Sequence, residues 1–125
     1  MNVDELNKIS ERIINAAYKV SNTLGVGFLE KVYENALAHQ LIRDGMRIEQ
    51  QRPIEVYYDD VVVGEYFADL IVEESVIVEL KASKRIEDVY LAQTLNYLKA
   101  TGLKLGLIIN FGKPRVEIKR VVNKL

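Results

Sequence analysis

The chain has 125 residues, 49% hydrophobic and 28% charged, which suffices for the core of one ordinary domain over residues 1–125 and excludes a disordered or multi-domain chain. Its formal net charge of −1 gives no overall positive field of the kind that marks many nucleic-acid-binding proteins, and the absence of cysteine excludes disulfides and thiolate metal sites. No apolar run approaches the ~20 residues of a membrane span and no signal-peptide pattern is present, so we expect a cytoplasmic protein without membrane contact.

Two amphipathic helices are predicted in the first part of the chain. Apolar residues recur at three- and four-residue steps over residues 4–24, and Gly25 is placed to end that helix. The same spacing predicts a second helix over about residues 28–44, which ends at Gly45.

Three strands are predicted next, because the apolar pattern changes to alternation. The first covers about residues 48–58, where Pro53 indicates an edge strand. A turn at Asp59 and Asp60 leads to the second, in which Gly64 indicates a bulge. The third covers residues 76–82.

A third helix and two further strands complete the predicted domain. The helix covers residues 86–101 and ends at Gly102, a buried strand follows over 105–110, and a last strand covers 115–122. The order α-α-β-β-β-α-β-β predicts an α/β domain in which helices flank a central mixed sheet.

Basic residues are concentrated at the C-terminal end. From residue 99 onward seven basic residues stand against one acid, Glu117. This pattern fits either a solvated basic edge or a phosphate-binding surface, and composition alone favours the former. The basic residues are Lys99, Lys104, Lys113, Arg115, Lys119, Arg120 and Lys124.

A hairpin between the second and third strands would bring two acids together. If the turn at 73–75 is symmetric about Glu74, residues whose numbers sum to 148 face each other, and Asp69 lies opposite Glu79. Like charges placed so are destabilising without compensation. The pairs expected on the opposite face are apolar: Ala68 with Leu80, Leu70 with Val78, and Val72 with Val76.

Two interpretations of this acidic pair remain open. A divalent cation held by Asp69 and Glu79 would neutralise the charge, and oxygen ligands of this kind suit magnesium or manganese. Alternatively, Glu79 and Lys81 form a structural ion pair while Asp69 is solvated.

The third helix adds a polar residue to the face that should meet the sheet. At 100° per residue Tyr90, Gln93 and Tyr97 share a stripe with Ile86. A glutamine there needs a hydrogen-bonding partner, either a carboxylate, water or phosphate in a site, or a backbone group at the sheet edge.

These residues resemble the motifs of the PD-(D/E)xK nuclease superfamily. Asp69, followed after nine residues by Glu79-Leu80-Lys81, is similar to its D…E-x-K core, and Gln93 to Tyr97 resembles the Q-x-x-x-Y helix motif of its RecB-like members. Ala68 stands where the superfamily has its proline. The resemblance implies a restriction-endonuclease-like fold.

An upstream segment resembles the signature of one family within that superfamily. Gly27, Glu30 and Tyr33 match the G-x-x-E-x-x-Y pattern of a group of small bacterial and archaeal proteins. Glu30 shares a helical stripe with Leu37, which predicts that it points inward into the site. The alternative is a first-turn acid stabilised only by the positive end of its helix.

The resemblance implies a metal-dependent nuclease that acts on DNA or RNA in repair, recombination or defence. Asp69, Glu79 and the Leu80 carbonyl would hold Mg²⁺ or Mn²⁺, with Glu30 acting through water or a second ion. Lys81 would orient the attacking water and stabilise charge on the phosphate, and Gln93 and Tyr97 would position a carboxylate or the substrate.

Two other function classes remain open at this stage. One is a non-catalytic module that retains the nuclease fold and binds nucleic acid or protein, and the acidic pI is its best support. The other is a structural dimer whose carboxylates serve an interface. We also expect a homodimer if the protein is a nuclease, since so short a chain has little surface to hold a duplex alone.

Overall fold

A computed structural model describes all 125 residues and confirms the predicted α/β class and element order. The second and third helices each begin two residues later than predicted, as does the last strand. None of the helices is both long enough and apolar enough to cross a membrane. In chain order the elements are α1 (Val3–Leu24), α2 (Glu30–Arg43), β1 (Ile48–Tyr58), β2 (Val61–Val72), β3 (Val76–Lys81), α3 (Asp88–Thr101), β4 (Leu105–Asn110) and β5 (Glu117–Val122).

The helix ends follow local capping chemistry. The Asn2 side chain accepts a hydrogen bond from the Glu5 N–H at 2.8 Å, which satisfies one of the free donors at the start of α1. Gly102 ends α3 in the left-handed conformation at φ 77°, and its N–H donates to the Leu98 carbonyl.

The five strands form one mixed sheet in the order β1-β2-β3-β4-β5. Only β3 and β4 are parallel, and α3 makes the crossover between them. β1 lies at the edge, as Pro53 predicts. The β1–β2 register shifts between Val56 and Tyr57, next to Gly64, so the predicted bulge is also confirmed.

The core has two parts, one on each face of the sheet. The larger packs α1 and α2 against residues such as Val78, and the smaller packs α3 against Ile77 and Ile108. α3 lies close to β4, because a Cβ on Gly106 would come within 2.9 Å of the Thr94 methyl carbon. The sheet and α3 are therefore fixed relative to each other.

Ala68 corrects one detail of the predicted hairpin. We expected Ala68 on the same face as Leu80, but it packs in the smaller part of the core, whereas Leu80 packs in the larger. The β2–β3 ladder ends at Leu70 and Val78, so β2 is free to turn relative to β3 beyond that pair. The point where the two strands separate is where the acidic residues lie.

Candidate active site

Asp69 and Glu79 lie side by side where β2 and β3 separate. The predicted register is confirmed over three pairs, of which Leu70 with Val78 is the last. Beyond it, the Asp69 N–H donates to Glu79 Oε2 at 2.8 Å, and the Leu80 N–H donates to Asp69 Oδ2 at 2.9 Å. The two carboxylates thus replace the strand-to-strand hydrogen bonds that are missing there, which fixes both side chains.

Burial makes two negative charges unfavourable at this point. Removal from water, together with the neighbouring Asp69 carboxylate, raises the pKa of Glu79 to about 8, and burial is the larger cause. The pKa of Asp69 is also raised, mainly by burial, although the hydrogen bond from Leu80 opposes the shift. This pair has the electrostatics of a site that favours a bound cation.

Glu34 is a third buried acid that sequence reasoning missed. It lies on α2, is only 3% exposed, and faces the sheet. Its carboxylate accepts hydrogen bonds from Gln50 and Gln51, each at 2.9 Å, and pairs with Lys31 at 3.1 Å. Its spacing of three, four and seven residues to Leu37, Ala38 and Leu41 was the available signal, since those positions form the core face of α2.

Gln51 connects Glu34 to the acidic pair. Its Nε2 donates to Glu34 Oε1 at 2.9 Å and to Asp69 Oδ1 at 3.2 Å. Gln51 has a positive φ of 54°, and it interrupts the β1–β2 pairing between Gln50 and Arg52. The side chain therefore reaches between α2 and β2 from an irregular point in the edge strand.

Glu30 is not where we predicted it. It is exposed in the first turn of α2 and makes no side-chain hydrogen bond or ion pair, so the inward orientation was wrong. The helix presents Tyr33 and Glu34 to the interior instead, because the helix begins only at Glu30 and its first turn projects past the sheet.

Tyr33 of the same motif is fully buried and structural. Its ring stacks on Phe111 with centroids 4.8 Å apart, and its hydroxyl donates to the Gly25 carbonyl at 2.6 Å. The Phe28 N–H donates to the same hydroxyl at 3.2 Å. Tyr33 thus fastens the α1–α2 loop to the core.

Lys81 lies near the acids without pairing with them. Its Nζ is 4.3 Å from the centroid of the Tyr90 ring on α3, a cation–π contact. The ion pairs of the chain are Lys31–Glu34, Arg47–Glu73 and Arg52–Glu49, so a structural ion pair between Glu79 and Lys81 is not present. Lys81 therefore carries a positive charge that interacts with both acids at longer range and opposes the rise in their pKa values without forming an ion pair.

Gln93 and Tyr97 lie on the α3 face that meets the sheet, as their spacing predicts. Tyr97 is 6% exposed and packs against Tyr66 with ring centroids 5.7 Å apart. Burial raises the pKa of Tyr97 to about 12, and the charge of Glu79 adds to the shift. Gln93 is half-buried and makes no hydrogen bond to the backbone, so it does not cap a group at the sheet edge.

The donor set fits a magnesium-type ion. No group of three or more acidic, histidine or cysteine side chains is arranged to hold a metal, since the Glu34 oxygens are taken up by Lys31 and the two glutamines. Magnesium is usually bound by only one or two carboxylates and keeps several waters. Asp69, Glu79 and the Leu80 carbonyl meet that requirement, and Glu79 Oε1 accepts no hydrogen bond.

Comparisons with known proteins agree with the fold. A family model described as the PD-(D/E)XK nuclease superfamily matches residues 7–121. Among solved structures, an alkaline exonuclease (LHK-Exo) from Laribacter hongkongensis is similar, with a TM-score of 0.57 at 12% identity over 98% of this chain and 71% of that one. At that identity the likeness shows the fold alone. A search of curated protein sequences finds no match.

Proposed function

The chain belongs to the PD-(D/E)XK nuclease superfamily, and on that premise we propose that it is a metal-dependent phosphodiesterase that cleaves DNA or RNA. The observation that supports this proposal most is the pairing of the half-buried Asp69 with the buried Glu79, since each accepts a backbone hydrogen bond from the other strand and neither forms an ion pair. A fold retained only for binding has no need of two like charges in such a position.

Asp69, Glu79 and the Leu80 carbonyl would hold Mg²⁺ or Mn²⁺. When bound, the ion would supply Lewis acidity toward the phosphodiester and a lowered pKa for a water molecule. The hydrogen bonds from the Asp69 and Leu80 N–H groups keep both carboxylates in one orientation, which limits the reorganisation needed on binding.

Lys81 supplies the positive charge that the reaction needs. Its ammonium lies over the Tyr90 ring and forms no ion pair with an acid. It is therefore available to interact with a phosphate oxygen or to orient the attacking water. Because a phosphodiester gains negative charge as it is attacked, a fixed cation at this place stabilises the transition state.

Gln51 and Glu34 act as positioning residues. The Gln51 amide donates hydrogen bonds to Asp69 Oδ1 and to Glu34 Oε1, so Glu34 fixes Gln51 and Gln51 fixes Asp69. Gln93 and Tyr97 line the neighbouring wall, where the Gln93 amide interacts with Tyr97 and has further donor and acceptor capacity to orient substrate. Glu30 has no contact that would give it a role in this arrangement.

We also assign the chain to the G-x-x-E-x-x-Y group within the superfamily. Gly27, with φ 110°, and the buried Tyr33 give two of the three signature positions a structural function in the α1–α2 loop. A single domain that acts as a homodimer would suit a chain of 125 residues, since two copies offer more surface to a duplex.

Calorimetric titration with Mg²⁺ or Mn²⁺ tests the proposal directly. Wild type is compared with Asp69→Asn/Glu79→Gln, and Glu49→Gln, an exposed acid on β1, is the matched control. We expect binding in wild type and the control and none in the double variant.

Cleavage assays on linear, branched and single-stranded substrates accompany the titration. Metal-dependent cleavage that is lost in the double variant and in Lys81→Ala supports a nuclease. If wild type binds neither metal alone nor metal with nucleic acid, the catalytic proposal is wrong and the fold serves as an interaction module.

A further inference from the structure

A cleft of about 740 Å³ lies between α3 and the part of the β1–β2 hairpin that extends beyond the sheet. We call it the α3 cleft. The cleft begins close to the acidic site. Gln93, which lines it, lies one helical turn after Tyr90, and Tyr90 makes the cation–π contact with Lys81. The residues that matter for its chemistry are Tyr57 and Tyr66 on the hairpin and Gln93, Asn96, Tyr97 and Lys99 on α3.

The hairpin wall of the α3 cleft presents exposed aromatic rings. Tyr57 is 59% exposed and Tyr66 is 46% exposed, and both line the cleft. Tyr66 packs at a tilt against Tyr97, and the Tyr57 hydroxyl donates a hydrogen bond to Glu55. These contacts restrict both rings, which remain largely exposed to solvent, an arrangement that suits stacking of a flat ligand.

The α3 wall presents two primary amides, Gln93 and Asn96, and both line the cleft. Gln93 interacts with the Tyr97 side chain, whereas Asn96 makes no side-chain hydrogen bond. A primary amide has two N–H donors and a carbonyl acceptor, so each keeps hydrogen-bonding capacity that matches the edges of a nucleobase. Aromatic faces on one wall and amides on the other are the combination by which proteins bind unpaired bases.

A basic surface continues from the same cleft. Lys99 lines the α3 cleft and also a second cavity of about 370 Å³ that it shares with Lys104 and Lys124. On the opposite side, Glu55 would repel a phosphate. A strand whose base enters the cleft therefore carries its phosphates along the lysine side.

We propose that the α3 cleft binds an unpaired nucleobase of the substrate strand, whose phosphates follow Lys99, Lys104 and Lys124. The inference rests on the proposed nuclease function and narrows it: the substrate presents single-stranded or frayed nucleic acid next to the scissile bond. It also gives three of the seven basic residues at the C-terminal end a phosphate-binding role, which the composition did not decide.

Fluorescence anisotropy of a labelled single-stranded oligonucleotide, measured in EDTA, tests the proposal apart from catalysis. Tyr57→Ala is compared with Tyr58→Ala, since these neighbouring tyrosines are both exposed and only Tyr57 lines the cleft. Loss of one base stack should weaken binding about 10-fold in Tyr57→Ala. Tyr58→Ala should bind as wild type does, and blunt duplex should bind all three proteins equally.

Two further measurements identify the contacts. 2-Aminopurine in the oligonucleotide should be quenched by wild type and by Tyr58→Ala, but not by Tyr57→Ala. Lys104→Gln should reduce the slope of log affinity against log salt by about 0.7, the value for one phosphate contact on a single strand.

The outcomes separate this inference from the nuclease proposal. Equal oligonucleotide binding by Tyr57→Ala and Tyr58→Ala overturns the inference, even if wild type cleaves nucleic acid with metal. Selective loss in Tyr57→Ala supports it, even if no cleavage is found. If Tyr57→Ala changes only the oligomeric state, the cleft is a protein interface and the inference is wrong.

Discussion

Glu34 and Asp69, which lie on different elements and are 35 positions apart in the chain, share the side-chain amide of Gln51. The amide stands 2.9 Å from one carboxylate and 3.2 Å from the other. Two acids that would repel each other are thereby joined through a neutral donor. The orientation of Asp69 depends on a residue of the edge strand.

Gln51→Leu should therefore weaken metal binding. Residues that hydrogen-bond to a metal ligand typically contribute about 10–100-fold to metal affinity, so we expect a loss of about 10-fold in Mg²⁺ or Mn²⁺ titrations. Gln50→Leu is the matched control, because Gln50 donates to Glu34 and Asn35 but not to Asp69. Equal losses in the two variants would show that Gln51 has no specific effect on Asp69.

Substitution of Glu34 should reduce the free energy of unfolding much more than substitution of Glu30, although both residues lie in the first two turns of α2. Glu34→Ala removes the acceptor of two glutamine amides and of Lys31, so we expect a loss of about 1–3 kcal/mol in unfolding free energy. Glu30→Ala, at an exposed position without partners, should change it by less than about 0.5 kcal/mol. Urea denaturation measures both.

Glutamine variants at the same two positions test which acid serves the site. Cleavage should fall in Glu34→Gln and stay at the wild-type rate in Glu30→Gln. The opposite result would restore the role that the motif resemblance implied for Glu30 and contradict the placement of α2.

The ionisation of Glu73 should make the free energy of unfolding depend on pH in the acid range. The hydrogen bond from the Arg47 N–H lowers the pKa of Glu73 below its ordinary 4.5, and the Arg47 guanidinium, 3.3 Å away, contributes as well. Because the folded state binds the proton less readily than the unfolded state, this stabilisation is present above pH 4.5 and is lost as pH falls through the lowered pKa.

Urea unfolding across the acid range tests this dependence. Wild type should be more stable than Glu73→Gln at neutral pH by no more than about 1 kcal/mol, since the pair lies at the surface. The difference should vanish well below pH 4.5. Glu74→Gln, at an exposed neighbouring position without hydrogen bonds, is the control and should show no such dependence.

The parts of the fold and of the candidate site that the sequence predicts are those that depend on a repeating pattern. Strand register and helical spacing are periodic, so the pairing of Leu70 with Val78 and the inward face of Tyr97 follow from counting. Gln51 does not follow from any period, because its role depends on a positive φ that interrupts the ladder.

Glu30 shows the other limit of periodic reasoning. A helical stripe predicts a direction only where the helix is packed, and α2 begins at Glu30 itself, beyond the sheet. Glu34, one turn further, lies where the sheet covers the helix and is therefore the buried acid. The boundary of the element decided which of two similar residues enters the site.

Asn110 holds the loop that follows Lys81, and its loss should affect both stability and cleavage. Its side chain is fully buried, accepts from the N–H groups of Ser83 and Gly112, and donates to the Ser83 carbonyl and to Glu117. A Cβ on Gly112 would lie 2.2 Å from the Ser83 carbonyl oxygen. The loop that follows β3 is therefore in direct contact with the loop that follows β4.

Asn110→Ala leaves these half-buried groups without partners, and we expect a loss of about 1–3 kcal/mol in unfolding free energy. Asn123→Ala is the control, since its side chain donates only to the Leu103 carbonyl, and it should lose less than about 1 kcal/mol. The loop at Ser83 begins two residues after Lys81, so cleavage by Asn110→Ala should also fall, measured at a temperature where the variant is folded. Wild-type cleavage by the folded variant would show that Asn110 stabilises the fold without positioning Lys81.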